Sequence, residues 1–321
     1  MFTAGEPMAL TISQYEDGVR EEIHTLWAKA LPFDVPTEGI FESRVLLDEN
    51  FDPASFLLVR DGSRLVGFVI GYVAGRMPLG DADPQGTKSW ITIIAIDPGA
   101  DLTATGNALL GTLEQRFTEW GKTECFIANY PPAYITPGID KRASAPLLRY
   151  LQTRGYVAFH EALSMDAPIV LFTPSETIEA KELALREEGI EVRAYRRSDL
   201  VKFLAFLGGS MPTDWVRVER RNLRKMTEGG FHPEQITVVT KDGEIIGYCQ
   251  FEGSHFGPFG VSDAFQGRGI GTVLLARTLE RMKCAGYHDA WVMWTDDNAA
   301  KVYGKFGFRE TRRFVLLKKK L

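Results

Sequence analysis

The chain of 321 residues repeats parts of its own sequence at a fixed distance. The segment 10–15, Leu-Thr-Ile-Ser-Gln-Tyr, matches Ile-Glu-Val-Arg-Ala-Tyr at 190–195, an offset of 180. The same offset relates two predicted hairpins, in which an Asp-Gly turn joins two apolar strands near Gly67 and Gly247. A period of this length indicates domain duplication rather than a solenoid of short repeats. The sequence therefore predicts two similar domains.

Composition, charge and cysteine usage exclude several other classes of protein. The content of 45% hydrophobic and 25% charged residues is ordinary for a soluble globular protein. A formal charge of −5 gives no reason to expect nucleic acid or a membrane as a partner. The three cysteines are scattered without metal-binding spacing, and we find no signal peptide or membrane-length apolar run. We therefore expect a cytoplasmic protein without a metal, and leave open a homodimer.

The expected domain ranges follow from the repeat and from helix signals between the copies. We assign residues 1–172 to an N-terminal domain and residues 190–321 to a C-terminal domain. Residues 173–189 start with Thr173 as a candidate helix cap and end with Gly189, so we expect a helical linker.

A glycine-rich loop follows a predicted strand of the second copy. The run 266–271, Gln-Gly-Arg-Gly-Ile-Gly, leads from a strand ending near Val261 into a helix. Alternate glycines let a ligand approach the backbone closely, and the amides of a helix N-terminus bind anions. The lysine of a P-loop is missing, and the glycine spacing differs from that of a dinucleotide fold. The loop is suited to a pyrophosphate, although a simple helix-capping turn would have a similar sequence.

The residues after the loop predict a helix and then a buried strand. Leu275, Leu279 and Met282 form an apolar stripe on a helix that ends at Gly286. Residues 289–295, Asp-Ala-Trp-Val-Met-Trp-Thr, are typical of a buried strand.

A second motif follows at 298–308, Asn-Ala-Ala-Lys-Val-Tyr-Gly-Lys-Phe-Gly-Phe, with Asn298 as a natural helix cap. The loop and this motif together resemble the GNAT acyltransferase superfamily, with one departure, an alanine at position 300 that stands one place early. The resemblance covers about 65 residues at the end of the chain. It implies an α/β (α+β) fold of two tandem domains, each a mixed, mostly antiparallel sheet flanked by helices. It also implies acetyl-CoA or another acyl-CoA as co-substrate.

The resemblance assigns roles to particular residues. Tyr303 would protonate the departing thiolate, and Asn298 would contact the cofactor. Glu252 and His255 are candidates for the general base, but each is equally well explained as a solvated turn residue. The residues expected to bind the cofactor are Gly260, Val261, Gln266, Gly267, Arg268, Gly269, Ile270, Gly271, Thr272 and Asn298.

The first copy lacks several of these residues. Aligning Gly106 with Gly269 places Thr103 at the position of Gln266 and leaves only one of the three glycines. Aligning the later Gly-aromatic pairs puts Leu151 at the position of Tyr303. We therefore expect a degenerate cofactor loop over 103–108 and catalysis by the C-terminal domain.

The sequence is interpreted as a tandem N-acetyltransferase that moves an acetyl group from acetyl-CoA to an amine of a small molecule or peptide by direct attack. Its layout is similar to that of mycothiol synthase, but no residue identifies that substrate. An antibiotic- or polyamine-type acetyltransferase is the alternative within the enzyme class. A non-catalytic acyl-CoA sensor is the alternative outside it, and the first domain could instead bind a protein partner.

Overall fold

The computed structural model describes residues 10–74, 86–130 and 133–321. The chain forms two compact units: unit 1 contains Met1–Ala162 and Arg312–Leu321, and unit 2 contains Leu163–Thr311. These units depart from the ranges expected from the sequence, because the last ten residues belong with the N-terminal unit. The segments 77–88 and 131–146 are rich in glycine and proline, which predicts surface loops. Residues 77–85 of the first segment and 131–132 of the second lie outside the described residues.

The described part of the chain contains the following strands and α-helices. The strands are β1 Leu10–Gln14, β2 Phe56–Asp61, β3 Arg64–Val73, β4 Lys88–Ile96, β5 Glu124–Ile127, β6 Ile139–Asp140, β7 Val157–Pro168, β8 Ile190–Ala194, β9 Ile236–Lys241, β10 Glu244–Glu252, β11 His255–Val261, β12 Asp289–Thr295 and β13 Arg309–Lys320. The α-helices are α1 Arg20–Ala30, α2 Glu38–Phe41, α3 Leu102–Glu119, α4 Ala145–Thr153, α5 Glu176–Glu187, α6 Leu200–Ser210, α7 Thr213–Thr227, α8 Ile270–Cys284 and α9 Asp297–Gly304.

Unit 1 is a sheet covered by helices on both faces. Its strand order is β1-β2-β3-β4-β5 followed by the β13 residues of this unit, and only β4 and β5 run parallel. Successive side chains of a strand point to opposite faces. Phe56 accordingly packs in one core with Trp27 of α1, while Leu57 packs in another with Leu113 of α3.

Unit 2 has the same construction. Residues 163–168 of β7 start the order β7-β12-β11-β10-β9-β8, in which only β11 and β12 run parallel. Val239 packs in the core beneath α8 with Leu279, whereas Val238 packs on the opposite face with Phe203 of α6. The predicted fold class, a mixed and mostly antiparallel sheet with flanking helices, is confirmed.

Several local predictions are confirmed as well. Both hairpins turn at Asp-Gly, with positive φ at Gly62 in the first and at Asp242 and Gly243 in the second. The three apolar positions of the predicted α8 stripe are fully buried. Residues 289–295 form β12 as expected.

Two predicted helix caps are wrong. α9 begins after Asp296, whose Oδ1 accepts hydrogen bonds from the amides of Asn298 and Ala299 at 2.8 Å each, so Asn298 lies inside the helix. α5 begins after Ser175 rather than Thr173, and Ser175 has the extended backbone of an N-cap residue. In both places another residue of the capping type stands closer to the first helical turn.

Candidate active site

The glycine loop of unit 2 adopts a conformation that favours glycine at two positions. Gly267 and Gly269 have φ of 76° and 79°, in the left-handed region, and Gly269 is the N-cap of α8. A Cβ at Gly271 would lie 3.2 Å from Cζ of Phe259, so this glycine allows α8 to approach β11 closely. The sequence thus places the first turn of α8 beside the end of β11.

The backbone amides of this loop have no hydrogen-bond partner among the described residues. Among the described residues, the amides from Gly267 to Gly271 donate to no acceptor, and the first bonds of the helix are those of Thr272 and Val273 to the carbonyl of Gly269. Free amides at the positive end of a helix dipole form an anion site. The predicted loop residues Gly267, Arg268, Gly269, Ile270 and Gly271 therefore lie together as a cradle of N–H donors, which we call the amide cradle.

Gln266 and Thr272 border the amide cradle. Nε2 of Gln266 donates to the carbonyl of Val261 at 3.2 Å and to Oδ1 of Asp263 at 2.8 Å. Gln266, although exposed, thus joins the loop to the end of β11 and helps to orient the cradle. Thr272 already uses its amide within the helix, at 3.1 Å from the carbonyl of Gly269.

Two cations lie near the amide cradle, and only one was predicted. Arg268 forms an ion pair with Glu188, just after α5. Lys181 of α5 lies over Gly269, with its Cε 2.7 Å from the position that a Cβ there would occupy. Lys181 has no ion-pair or hydrogen-bond partner within the described ranges. No sequence signal linked Lys181 to a loop 88 positions away, because only the packing of α5 on α8 brings them together.

Next to the cradle, one edge of β11 is open. β11 and β12 share a single residue pair, His255 with Trp291, and the amide of Trp291 donates to the carbonyl of Ser254 at 2.9 Å. Further along, no other pair joins the two strands in the described part of the chain. The unpaired length of β11 leads directly from this meeting point to the amide cradle.

The direction of each amide of β11 follows from its register with β10. The amide of Ser262 donates to the carbonyl of Ile246 at 2.8 Å, and the same register continues to Gly260. Because N–H directions alternate along a strand, the amide of Gly260 points to β10, while those of Phe259 and Val261 point to the open edge. The amide of Val261 is therefore directed towards a ligand at the open edge, as predicted for a donor. That of Gly260 is not, and Phe259 is a donor that sequence reasoning missed.

Tyr303 lies on the α8 face of β11. Its side chain is 5% exposed, and its ring centroid is 5.2 Å from that of Phe256 and 6.0 Å from that of Phe259. Burial raises the pKa of Tyr303 above its ordinary value, against a lowering influence of the Thr295 side chain. The phenol therefore keeps its proton at neutral pH.

Glu252 and His255 face each other across the β10–β11 turn. Glu252 forms an ion pair with Lys225 of α7 at 2.8 Å, and the ring of His255 lies 4.5 Å from that of Trp291. Both side chains thus lie where β11 meets β12, at the opposite end of the open edge from the cradle. Asn298 is exposed in the first turn of α9, where its Oδ1 accepts a hydrogen bond from Lys301 at 3.4 Å.

Comparison with known proteins assigns a family to the part of the chain that contains this site. A family profile described as Acetyltransferase (GNAT) domain matches residues 232–310, which include β11, the amide cradle and Tyr303. Residues 232–310 thus form a GNAT domain. This assignment supports acyl transfer in general. No curated protein matches the chain.

Solved structures show that the GNAT fold extends beyond the matched residues. A glucosamine N-acetyltransferase region of a fungal multi-domain β-N-acetylglucosaminidase superposes on 98% of the chain with a TM-score of 0.80 at 15% identity, and the chain spans 38% of that protein. A GCN5-related N-acetyltransferase from Sphaerobacter thermophilus covers 97% of the chain at 17% identity, with a TM-score of 0.66 and 95% of its own length. A tandem GNAT protein from the clavulanic acid pathway covers 97% of the chain and 98% of its own length, with a TM-score of 0.62 and 15% identity. At such identities the likeness concerns the tandem GNAT fold.

The start of α3 in unit 1 differs from the start of α8 in unit 2. Residues 103–108, predicted to be the degenerate loop, lie inside α3, which begins one residue after Asp101. Oδ1 of Asp101 accepts a hydrogen bond from the amide of Ala104 at 2.9 Å, so a carboxylate of the chain already lies at the start of this helix. The ring of Tyr150 also lies within 2.7 Å of the position of a Cβ on Gly106. The loop alignment made from sequence is wrong because a glycine inside a helix was matched to a glycine at its cap.

A buried polar cluster on the other face of the GNAT domain was missed entirely. It consists of Glu219 and Asn222 of α7 with Tyr248 and Gln250 of β10, and we call it the α7–β10 cluster. Nδ2 of Asn222 donates to Oε1 of Gln250 at 3.3 Å. The only sequence signal was the spacing of a Glu and an Asn three positions apart, which is common on exposed helices.

Neither metal-binding groups nor membrane-spanning helices are found in the described ranges. No group of three or more His, Cys, Asp and Glu side chains there could hold a metal ion. None of the helices described is long and apolar enough to cross a membrane.

Proposed function

We propose that the chain transfers an acetyl group from acetyl-CoA to an amine, and that unit 2 holds the active site. The observation that carries this proposal is the presence of two neighbouring sets of available amides, one on the open edge of β11 and one in the amide cradle. Phe259 and Val261 offer donors along the edge, and Gly267–Gly271 offer donors at its end. A thioester on a long polar arm that ends in a pyrophosphate has acceptors for both sets.

Charge near the cradle supports a phosphate ligand. The helix dipole and the unpartnered amides make the start of α8 attractive to anions. Lys181 adds a cation that has no protein partner in the described ranges and lies on a flexible stem over Gly269. Such an ammonium can move to a phosphate without breaking an existing ion pair.

The residues along the open edge suit acyl transfer. Amides of β11 can donate to the thioester carbonyl, and so stabilise the oxyanion that forms when an amine attacks it. Tyr303, which keeps its proton because of burial, can protonate the thiolate that leaves. A protein that only sensed acyl-CoA would need the amides and the cation but no proton donor beside them.

Unit 2 is proposed as the active unit because in unit 1 a carboxylate of the protein already lies at the equivalent helix start. The Asp101 carboxylate accepts a hydrogen bond from the Ala104 amide of α3, whereas Gly269 offers no side chain to α8. A pyrophosphate at α3 would have to displace a like charge. Leu151 is buried in α4 at the place expected for an acid, and it has no proton to give.

Calorimetry with acetyl-CoA and a CoA-release assay over a panel of amines, glucosamine included, test the proposal. We expect one site for each chain and turnover with at least one amine. Binding without turnover on any amine would instead favour a sensor. A lack of acetyl-CoA binding would refute the proposal altogether.

A further inference from the structure

The α7–β10 cluster has more hydrogen-bond acceptors than the protein uses. Oε1 and Oε2 of Glu219, Oδ1 of Asn222 and the hydroxyl of Tyr248 are buried and lack a hydrogen bond of good geometry among the described residues. The Tyr248 hydroxyl interacts with the Glu219 carboxyl only loosely, which leaves most of the acceptor capacity of that carboxyl unused. The side chain of Glu219 is 0% exposed. Leaving buried polar groups unsatisfied costs about 1–3 kcal/mol each, and more for a charged group. Such a concentration of unused acceptors needs a reason.

The cluster lies against the strand that carries the proposed thioester site. Tyr248 pairs with Gly260 of β11 across the sheet. Trp215, one helical turn before Glu219, has its ring within 3.1 Å of the position of a Cβ on Gly260, and Sδ of Met211 is 2.7 Å from it. Trp215 and Met211 are half-buried, so these two side chains lie between the buried cluster and the surface. Tyr303 packs on the opposite face of the same strand.

We propose that Glu219 binds the ammonium group of the acyl acceptor and takes its proton, and that the acceptor is therefore a small primary amine. This inference rests on the proposed acetyl transfer. It deepens that proposal, since it names the acceptor class and a base that the sequence did not suggest.

The unused atoms match a primary ammonium in number and kind. Glu219 and Asn222 together offer three pure acceptors, and a primary ammonium has three N–H donors. The rings of Trp215 and Tyr248, 6.3 Å apart, add aromatic surface that favours a cation. Because Glu219, Asn222 and Tyr248 are almost fully buried, a bulky acceptor would not reach them without opening the helix.

The proton transfers balance along this route. The ammonium gives one proton to the Glu219 carboxylate, and the freed lone pair of nitrogen attacks the thioester carbonyl carbon. A C–N bond forms, the C–S bond breaks, and the thiolate takes the proton of Tyr303. The second proton lost by the nitrogen returns to Tyr303 through solvent, and Glu219 releases its own to bulk water. The products are an amide, free CoA and one proton.

Charged and titratable groups on α7 and on β10 influence the pKa of Glu219. Burial raises the pKa of Glu219 to about 8, while Tyr248 and Arg221 lower it and Glu252 raises it. Asp214 of α7 and Cys249 of β10 are further titratable neighbours of Tyr248. A carboxyl with this pKa exchanges protons readily near neutral pH and is stabilised as a carboxylate when an ammonium binds it.

The test compares wild type, Glu219→Gln and the control Glu228→Gln, an exposed residue just after α7. For the best amine of the panel we expect Glu219→Gln to lower kcat/KM by about 100-fold or more and to remove one limb of its pH profile. The acetyl-CoA Kd should change less than about twofold, and Glu228→Gln should resemble wild type. If Glu219→Gln turns over normally while wild type binds acetyl-CoA, this inference fails and the proposed function stands. If wild type does not bind acetyl-CoA, the proposed function fails first.

A measurement on wild type alone covers the case in which the variant does not fold. The N-trimethyl analogue of the same amine keeps the charge but has no N–H donors. We expect it to inhibit at least about tenfold more weakly than the primary amine binds, because the three acceptors would stay unpartnered. Equal binding of the two would refute the ammonium site at Glu219.

Discussion

Replacing Glu219 by glutamine should make the stability of the protein less sensitive to alkaline pH. Burial raises the pKa of Glu219 to about 8 from an ordinary value of 4.5. The folded state therefore holds this proton more tightly than the unfolded state. The stability that results is complete below pH 4.5 and is lost as the pH rises towards 8. Glutamine has the shape of the protonated acid but cannot ionise, so the variant should not show this loss.

The expected magnitude follows from proton linkage. Between pH 5.5 and the folded pKa of about 8, the unfolded state has lost the proton and the folded state has kept it. That interval is about 2.5 pH units, and each unit corresponds to about 1.36 kcal/mol, which gives about 3 kcal/mol. Glu219→Gln should thus gain about 3 kcal/mol over wild type when the pH is raised from 5.5 to 8.5.

Urea unfolding of wild type and variant at both pH values measures this double difference. Glu182→Gln is the matched control, because Glu182 is also buried but is paired with Arg186 and Arg277. The control should be destabilised at both pH values by similar amounts, since it loses ion pairs rather than a titration. A double difference below about 1 kcal/mol for Glu219→Gln would show that the carboxyl is solvated or paired in solution. The buried acceptor site would then lose its physical basis.

Three further predictions concern the cofactor site. Lys181→Met should weaken acetyl-CoA binding by about tenfold and reduce its salt dependence, as measured by calorimetry at two ionic strengths, whereas Lys202→Met in the same unit should not. Tyr303→Phe should lower kcat by about tenfold or more with little change in acetyl-CoA Kd; an unchanged kcat in the CoA-release assay would remove the acid role. Gly269→Asp should abolish calorimetric acetyl-CoA binding, because it introduces a capping carboxylate and a Cβ close to Lys181; wild-type affinity in this variant would show that the amide cradle does not hold the ligand.

The sequence predicted the local structure well wherever a short pattern decides it. The Asp-Gly turns and the apolar stripe of α8 are such patterns, since each depends on residues a few positions apart. The pairing of β13 with β5 in unit 1 could not be predicted, because its register joins Leu317 to Ile127, far apart in the chain. Nothing in the apolar run of β13 tells which sheet it joins.

The candidate site was predicted in part for the same reason. The amide cradle and Tyr303 lie in motifs that are local in sequence, so their types and spacing were visible. Lys181 and Glu219 act from α5 and α7, and each becomes part of the site only through packing. Glu219 was the harder to find, because a Glu on a helix is usually exposed, and only the structure shows it to be buried without a partner.

The two units differ in what binds the amides at a helix start: in unit 1 a side chain of the protein does so, whereas in unit 2 the amides remain available to a ligand. Amides at the start of a helix need an acceptor, and a side chain or an anion can provide it. Asp101 provides it within the chain in unit 1, and its charge would repel a phosphate there. In unit 2 the same place is Gly269, whose left-handed conformation leaves the amides unpartnered and brings Lys181 above them. A glycine N-cap in place of a capping side chain lowers helix stability by only a few tenths of a kcal/mol, an amount that a bound pyrophosphate can more than offset. Unit 2 should therefore gain stability from acetyl-CoA, and unit 1 should gain none of its own.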